Sequence, residues 1–398
     1  MKLKTQKKWQ NHAILDFFKK TDNETMTIQP KEFIVNKGNL PDARFVALQV
    51  PEPADLKDGQ VLLQIDRFAF TSNNVTYAAF GKAMQYWNFF PTEEGWGNIP
   101  VWGFADVLAS KADGVGVGER FYGYYPMATH LTVNATRVSD AGFTDGAEHR
   151  QAMHGLYNHY VRTTTDPGYT KESEDVQVLL RPLFITSFMI DDFLDDNQFF
   201  GAQSVLISSA SSKTAYGLAF MLSLRKDKAC KIIGLTSAAN LEFVRNMGIY
   251  DQVISYDQVA TLAAGQPVVY VDMAGNGQLR SQLHHHFGDN MKYSCAVGGT
   301  HWDELSGASD LPGARPTLFF APAQIKKRMT DWGPGGVQTR LAHAWQAFMQ
   351  PVMAAEKPWM QVTHGYGEAD VRQVYETMLS GAARPDQGSV LSLCRVLD

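Results

Sequence analysis

The stretch from Gln203 to Tyr256 constrains the fold more than any other part of the chain. Gln203-Ser-Val-Leu-Ile207 is a short apolar run. The small residues Ser208 to Ser212 follow it, and then Lys213-Thr-Ala-Tyr-Gly-Leu-Ala-Phe-Met-Leu222. This order predicts a buried strand, a tight turn and a helix. A second apolar run, Lys231-Ile-Ile-Gly-Leu-Thr-Ser237, a helical stretch through Met247-Gly248 and a third run, Gln252-Val-Ile-Ser-Tyr256, complete a βαβαβ pattern. Such units hold dinucleotides at the carboxyl ends of their strands.

The turn departs from the glycine-rich pattern usual at that place. Ser209, Ser212 and Ala215 stand where a GxxGxxG loop carries glycines. They are still small enough for backbone amides to approach a pyrophosphate. Ser209, Ser211, Ser212, Lys213 and Thr214 are therefore the expected phosphate-binding group, with Lys213 adding charge at a helix N-terminus that already favours anions. The end of the second strand reads Thr236-Ser-Ala-Ala-Asn240, with no carboxylate to hold a ribose hydroxyl or repel a 2′-phosphate. Thr236, Ser237 and Asn240 thus point to NADP(H) rather than NAD. Tyr256 and Gly298, at the ends of later strands, complete the expected cofactor contacts.

Composition removes several function classes. The 398 residues are 44% hydrophobic and 19% charged with a net charge of −5, which gives no basic excess for nucleic acid. No run of about 18 apolar residues suggests a membrane span. Cys230, Cys295 and Cys394 are far apart, with no CxxC pair, so neither a disulfide framework nor a structural zinc site is expected and a reducing cytoplasm fits. The basic stretch Met1 to Gln10 and a second start-like Met26 mark residues 1–25 as a leader outside the fold. Residues 31–130 are β-rich, and the polar stretch 147–175 reads as an insertion able to cover a cleft.

The landmarks Pro51-Glu-Pro, Asp58-Gly-Gln-Val-Leu-Leu-Gln-Ile65, Gly118-Glu-Arg-Phe-Tyr-Gly123, the 203–257 unit, Val271-Asp-Met-Ala-Gly275 and Val297-Gly-Gly299 occur in an order that resembles the medium-chain dehydrogenase/reductase superfamily. The resemblance implies an α/β chain: a GroES-like β-rich domain from 26–180 and 345–398, and a Rossmann-type doubly wound parallel sheet over 181–344. The stretch Val101-Trp-Gly-Phe-Ala-Asp106 and the whole of residues 1–180 lack the cysteine ligand of the zinc enzymes. The chain is therefore similar to the zinc-free quinone oxidoreductase and enoyl reductase branch, and no metal is expected. In that branch an N-x-x-D-T-Y-x-x-x-G segment lines the active site. It is matched here by Ser72-Asn-Asn-Val-Thr-Tyr77-Ala-Ala-Phe-Gly81, with Ser72 and Val75 departing from the pattern.

The resemblance makes Tyr77 the first candidate for a catalytic donor. His301, just past a strand end, is the second. Ser72, Asn73, Tyr86, Trp87, Trp302 and Phe320 are the expected walls of an apolar substrate pocket. The implied activity is NADP(H)-dependent, zinc-independent reduction of an activated C=C or C=O bond on a small hydrophobic substrate, in a chain that is free to form a homodimer. Two other readings stay open: a protein that binds NADP(H) without turning over, and a non-redox lyase on the same fold. A hydrolase is disfavoured by the lack of a Gly-x-Ser-x-Gly elbow.

Overall fold

The computed structural model describes residues 28–225, 230–273, 275–297 and 311–397. The expected leader, Gly298, His301 and Trp302 lie outside the described residues.

Six strands form one parallel sheet. Along the chain they are Ser204–Ile207, Lys231–Thr236, Gln252–Ser255, Val268–Asp272, Met291–Ala296 and Pro316–Leu318, and in space they run third, second, first, fourth, fifth, sixth. The first strand is thus central, flanked in register by the second (Val205 opposite Ile232) and the fourth (Val205 opposite Val269). Every residue of the first and fourth strands is buried, which explains their uninterrupted apolar runs. The strand order reverses between these two, and there a doubly wound sheet opens a crevice at its carboxyl edge.

The second large sheet is closed, and antiparallel except for its C-terminal pair of strands. Strand Gln60–Phe70 pairs with Val101–Ser110 on one side and, through its first half, with His130–Ser139 on the other. Residues 147–175 take part in this sheet. His159–Arg162 within them is a strand between Arg120–Tyr125 and Gly142–Asp145 and helps to close the sheet. The C-terminal strands Gln361–Tyr366 and Gln387–Ser392, linked by helix Gly367–Leu379, join this same sheet, with Val390 opposite Ala69.

Helix Glu174–Asp196 connects the two sheets and packs on helix Lys213–Ser223. The approach is close: a Cβ on Gly217 would stand 2.7 Å from Ser187 Oγ. Ser187 also donates to the Thr214 carbonyl at 2.7 Å. At the helix start, Glu174 accepts from Arg120 at 2.6 Å and Asp175 from Arg67 at 2.6 Å. Burial alone would raise the neighbouring Asp66 carboxyl, but Arg395, Arg120 and Arg67 hold it well below the usual range. A long helix, Ala321–Val352, is bent at Gly333 where φ is 75°.

Candidate active site

The carboxyl edge of the parallel sheet and the near end of the closed sheet enclose a cleft of about 770 Å³. On the side of the parallel sheet, Ser209 adopts a φ of 48°, the left-handed region that costs an L-residue and favours glycine. Its amide donates to Tyr256 Oη at 3.2 Å. Ser212 is the N-cap of helix Lys213–Ser223, its Oγ accepting from the Ala215 amide at 3.3 Å. Ser211 Oγ accepts from Asn240 Nδ2 at 3.1 Å. The amides of Lys213 and Thr214 open the helix, so they have no partner within it. Both residues line the cleft, and the turn therefore offers an anion two amides and the positive end of a helix dipole.

The Lys213 ammonium is directed elsewhere than expected. Nζ donates to the backbone carbonyl of Gln387 at 2.8 Å and to that of Pro385 at 3.4 Å. Burial lowers its pKa to about 8. Next to the turn, buried Ser208 donates to Asp272 at 3.2 Å, and Asp272 pairs with Arg280 at 3.3 Å. Arg280 reaches the cleft as well. Burial raises the Asp272 carboxyl, with the Gly275 amide and Arg280 opposing that rise.

The facing wall begins with helix Ser72–Ala79. Asn74 fixes it, accepting from the Thr71 amide at 2.8 Å and donating to the Pro100 carbonyl at 2.8 Å. Asn73 and Tyr77, one turn apart and so on one face, both line the cleft. Burial raises the Tyr77 hydroxyl well above its ordinary value, with Tyr157 adding to the rise; Trp102, Asn73 and Tyr124 surround it and favour the anion. The group stays protonated at neutral pH. The Tyr77 ring lies 4.6 Å from that of Tyr86, whose hydroxyl is pushed up to about 12 by burial and stands 3.5 Å from the Tyr157 hydroxyl. Trp102 and Tyr122 stack at 5.4 Å. The Tyr122 hydroxyl is buried with no hydrogen-bond partner, and the Trp102 N–H faces Tyr77 without meeting hydrogen-bond geometry.

Of the expected residues, Ser72, Asn73, Tyr77, Tyr86, Ser209, Ser211, Ser212, Lys213, Thr214, Asn240 and Phe320 meet around this one cleft. Others do not. Thr236 is 1% exposed, because the last residue of its strand faces the sheet interior. Ser237 and Tyr256 do not line the cavity, although Tyr256 supports Ser209 from behind. Trp87 is core: it packs over Gly81 and Gly97, where a Cβ would come within 2.1 and 2.4 Å of its ring. That packing, rather than substrate contact, accounts for the glycine of the Ser72–Gly81 segment. Tyr122, Tyr157, His159 and Arg181 line the cleft and were not expected from the sequence. The strand that carries Tyr122 was legible, but not which of its faces meets the cavity.

Among the described residues no cluster of three metal-ligating side chains occurs. His284, His285 and His286 bond in separate directions, to Pro312 and Ser294, to Ser281, and to Leu262.

A family model described as "Protein of unknown function (DUF2855)" matches residues 68–384. The chain belongs to the DUF2855 family. Among curated proteins no sequence match accompanies this DUF2855 member. In three dimensions it is similar to CurA from Vibrio vulnificus in complex with NADPH, at 12% identity and a TM-score of 0.60, covering 91% of this chain and 98% of that one. It is also similar to CurK enoyl reductase, at 14% identity and a TM-score of 0.55, covering 92% and 99%. The quinone oxidoreductase from Coxiella burnetii gives 14% and 0.54, with the same coverage. This DUF2855 chain thus shares the fold of these three proteins.

Proposed function

We propose that this chain is an NADP(H)-dependent, zinc-independent reductase of an activated C=C or C=O bond on a hydrophobic, enone- or quinone-like substrate. One observation carries the reading: the Ser209–Thr214 turn and the Tyr77 helix line a single continuous cavity. In this reading residues 181–344 hold the nucleotide, and 26–180 with 345–398 supply the substrate side. The free amides of Lys213 and Thr214 take the pyrophosphate, and Asn240 with Ser211 lies toward the ribose end.

The bound dinucleotide would supply hydride. Tyr77, protonated at neutral pH, donates a hydrogen bond to the substrate oxygen as negative charge develops there. The rings of Tyr86, Trp102 and Phe319 exclude water and accommodate a flat apolar frame. The likeness to a structure that holds NADPH supports the choice of cofactor.

Thermal unfolding with NADPH, NADP⁺, NADH or no ligand tests the reading. NADPH should raise the unfolding temperature more than NADH does. NADPH oxidation on a panel of enones, quinones and aldehydes should then proceed undiminished by a chelator. Absence of any nucleotide stabilisation would refute the assignment.

A further inference from the structure

The barrel wall of the cleft is mostly aromatic: Tyr77, Tyr86, Tyr122 and Trp102 line it, the Tyr122 hydroxyl and the Trp102 N–H being themselves buried. His159 is different. It lies on the strand His159–Arg162, in which alternate side chains share a face. His159 and Val161 take the cleft side. Tyr160 and Arg162 point away, accepting from Arg150 at 3.0 Å and pairing with Glu119 respectively. Val161 is the register partner of Tyr122, itself a cleft residue. Strand pairing, and not a free rotamer, therefore directs His159 into the cavity.

The half-buried imidazole lies beside the Phe143 carbonyl, which favours placing the ring N–H on that side. Burial lowers its pKa, with that carbonyl opposing the shift, so the ring is neutral at pH 7. A neutral imidazole whose N–H is engaged has a lone pair on its other nitrogen. That nitrogen is an acceptor on an otherwise aromatic wall.

We propose that His159 is a specificity-determining residue, its free nitrogen accepting a hydrogen bond from a hydroxyl carried by the substrate. The preferred substrate is then a flat, apolar molecule with both a carbonyl oxygen, which the tyrosines meet, and a hydroxyl, which His159 meets. This rests on the reductase reading for the role of the cleft.

Titration of the full chain with acetophenone and with its meta- and para-hydroxy analogues, followed by tryptophan fluorescence, tests the assignment without cofactor or turnover. The better-fitting hydroxy isomer should bind about tenfold more tightly than acetophenone. In His159→Leu that ratio should fall to about one. His159→Gln, whose side-chain carbonyl can accept in the same direction, should restore most of it. A parent protein without hydroxyl preference, or a His159→Leu variant that keeps it, overturns the proposal. A protein that shows the preference yet oxidises no NADPH with any ketone would remove the reductase reading and leave the His159 assignment standing.

Discussion

The two walls of the cleft satisfy their polar groups in opposite ways. On the nucleotide side almost every side chain is committed inward: Ser212 to its own helix, Ser211 to Asn240, Lys213 to the carbonyls of Gln387 and Pro385. What is left for a ligand is backbone. On the barrel side the backbone is tied up in the closed sheet, and side-chain groups such as the Tyr122 hydroxyl are left over. A wall that presents amides suits a ligand that is always the same, because amides cannot vary with sequence. A wall that presents side chains can be tuned to a particular substrate. The serines thus shape a turn where glycines are usual, and the Ser211 and Ser212 hydroxyls serve as acceptors within the protein.

The largest effect should come from placing a charge on the backbone wall. Asp is as good an N-cap as Ser, so Ser212→Asp should fold. Its carboxylate beside the pyrophosphate should raise the NADPH dissociation constant by about three orders of magnitude in calorimetric titration. Unchanged affinity would put the anion elsewhere and end the comparison.

Next in size is the loss of one hydroxyl from the other wall. Tyr77→Phe should leave folding and NADPH affinity intact and lower turnover on an accepted enone about 100-fold. Since burial holds the Tyr77 pKa far above neutrality, the parent rate should show no tyrosine limb between about pH 6 and 9. A drop of less than about threefold would make Tyr77 a mere surface of the pocket.

The committed ammonium gives a smaller, pH-dependent effect. Folding lowers Lys213 from 10.5 to about 8, so between those values the unfolded chain binds more protons. The parent therefore gains stability as pH rises through that window, by up to about 3 kcal/mol, and gains nothing below it. Lys213→Met should lack this rise when denaturant unfolding is followed at pH 7 and at pH 10. Parallel pH profiles would mean that the amine is hydrated.

Smallest of all, Tyr122→Phe removes a buried hydroxyl that has no partner. Stability should stay within about 1 kcal/mol of the parent, on the more stable side. A larger loss in thermal unfolding would reveal a bond that the barrel wall makes after all.

The parallel sheet was legible because its strands are buried on both faces and read as apolar runs, as in Val268–Asp272. The strand His159–Arg162 was not, since its four residues carry a histidine and an arginine and only Tyr160 is fully buried. Trp87 and Tyr86 are adjacent aromatics, and the sequence cannot say that two glycines turn one into the core while the other meets the cavity. Thr236 was misplaced for a related reason: at a strand end the pleat decides which side a hydroxyl faces. The Asp66, Arg67, Arg120 and Glu174 ion pairs join residues remote in the chain, and no local pattern announces them.

The contact between Lys213 and the carbonyls at Pro385 and Gln387 has a consequence for how the chain is made. The six parallel strands occupy one uninterrupted span, so that sheet can assemble as it is synthesised. The closed sheet cannot: Phe70 waits for Ser389, its partner near the opposite end. Such distant pairing is slow. Because Phe70 leads directly into the helix that carries Tyr77, that helix starts from a strand whose pairing closes late, on the same segment whose carbonyls receive Lys213. A polypeptide halted before Gln387 would hold a nearly finished nucleotide sheet beside an unanchored tyrosine, and both walls of the cleft would mature in a single closing event.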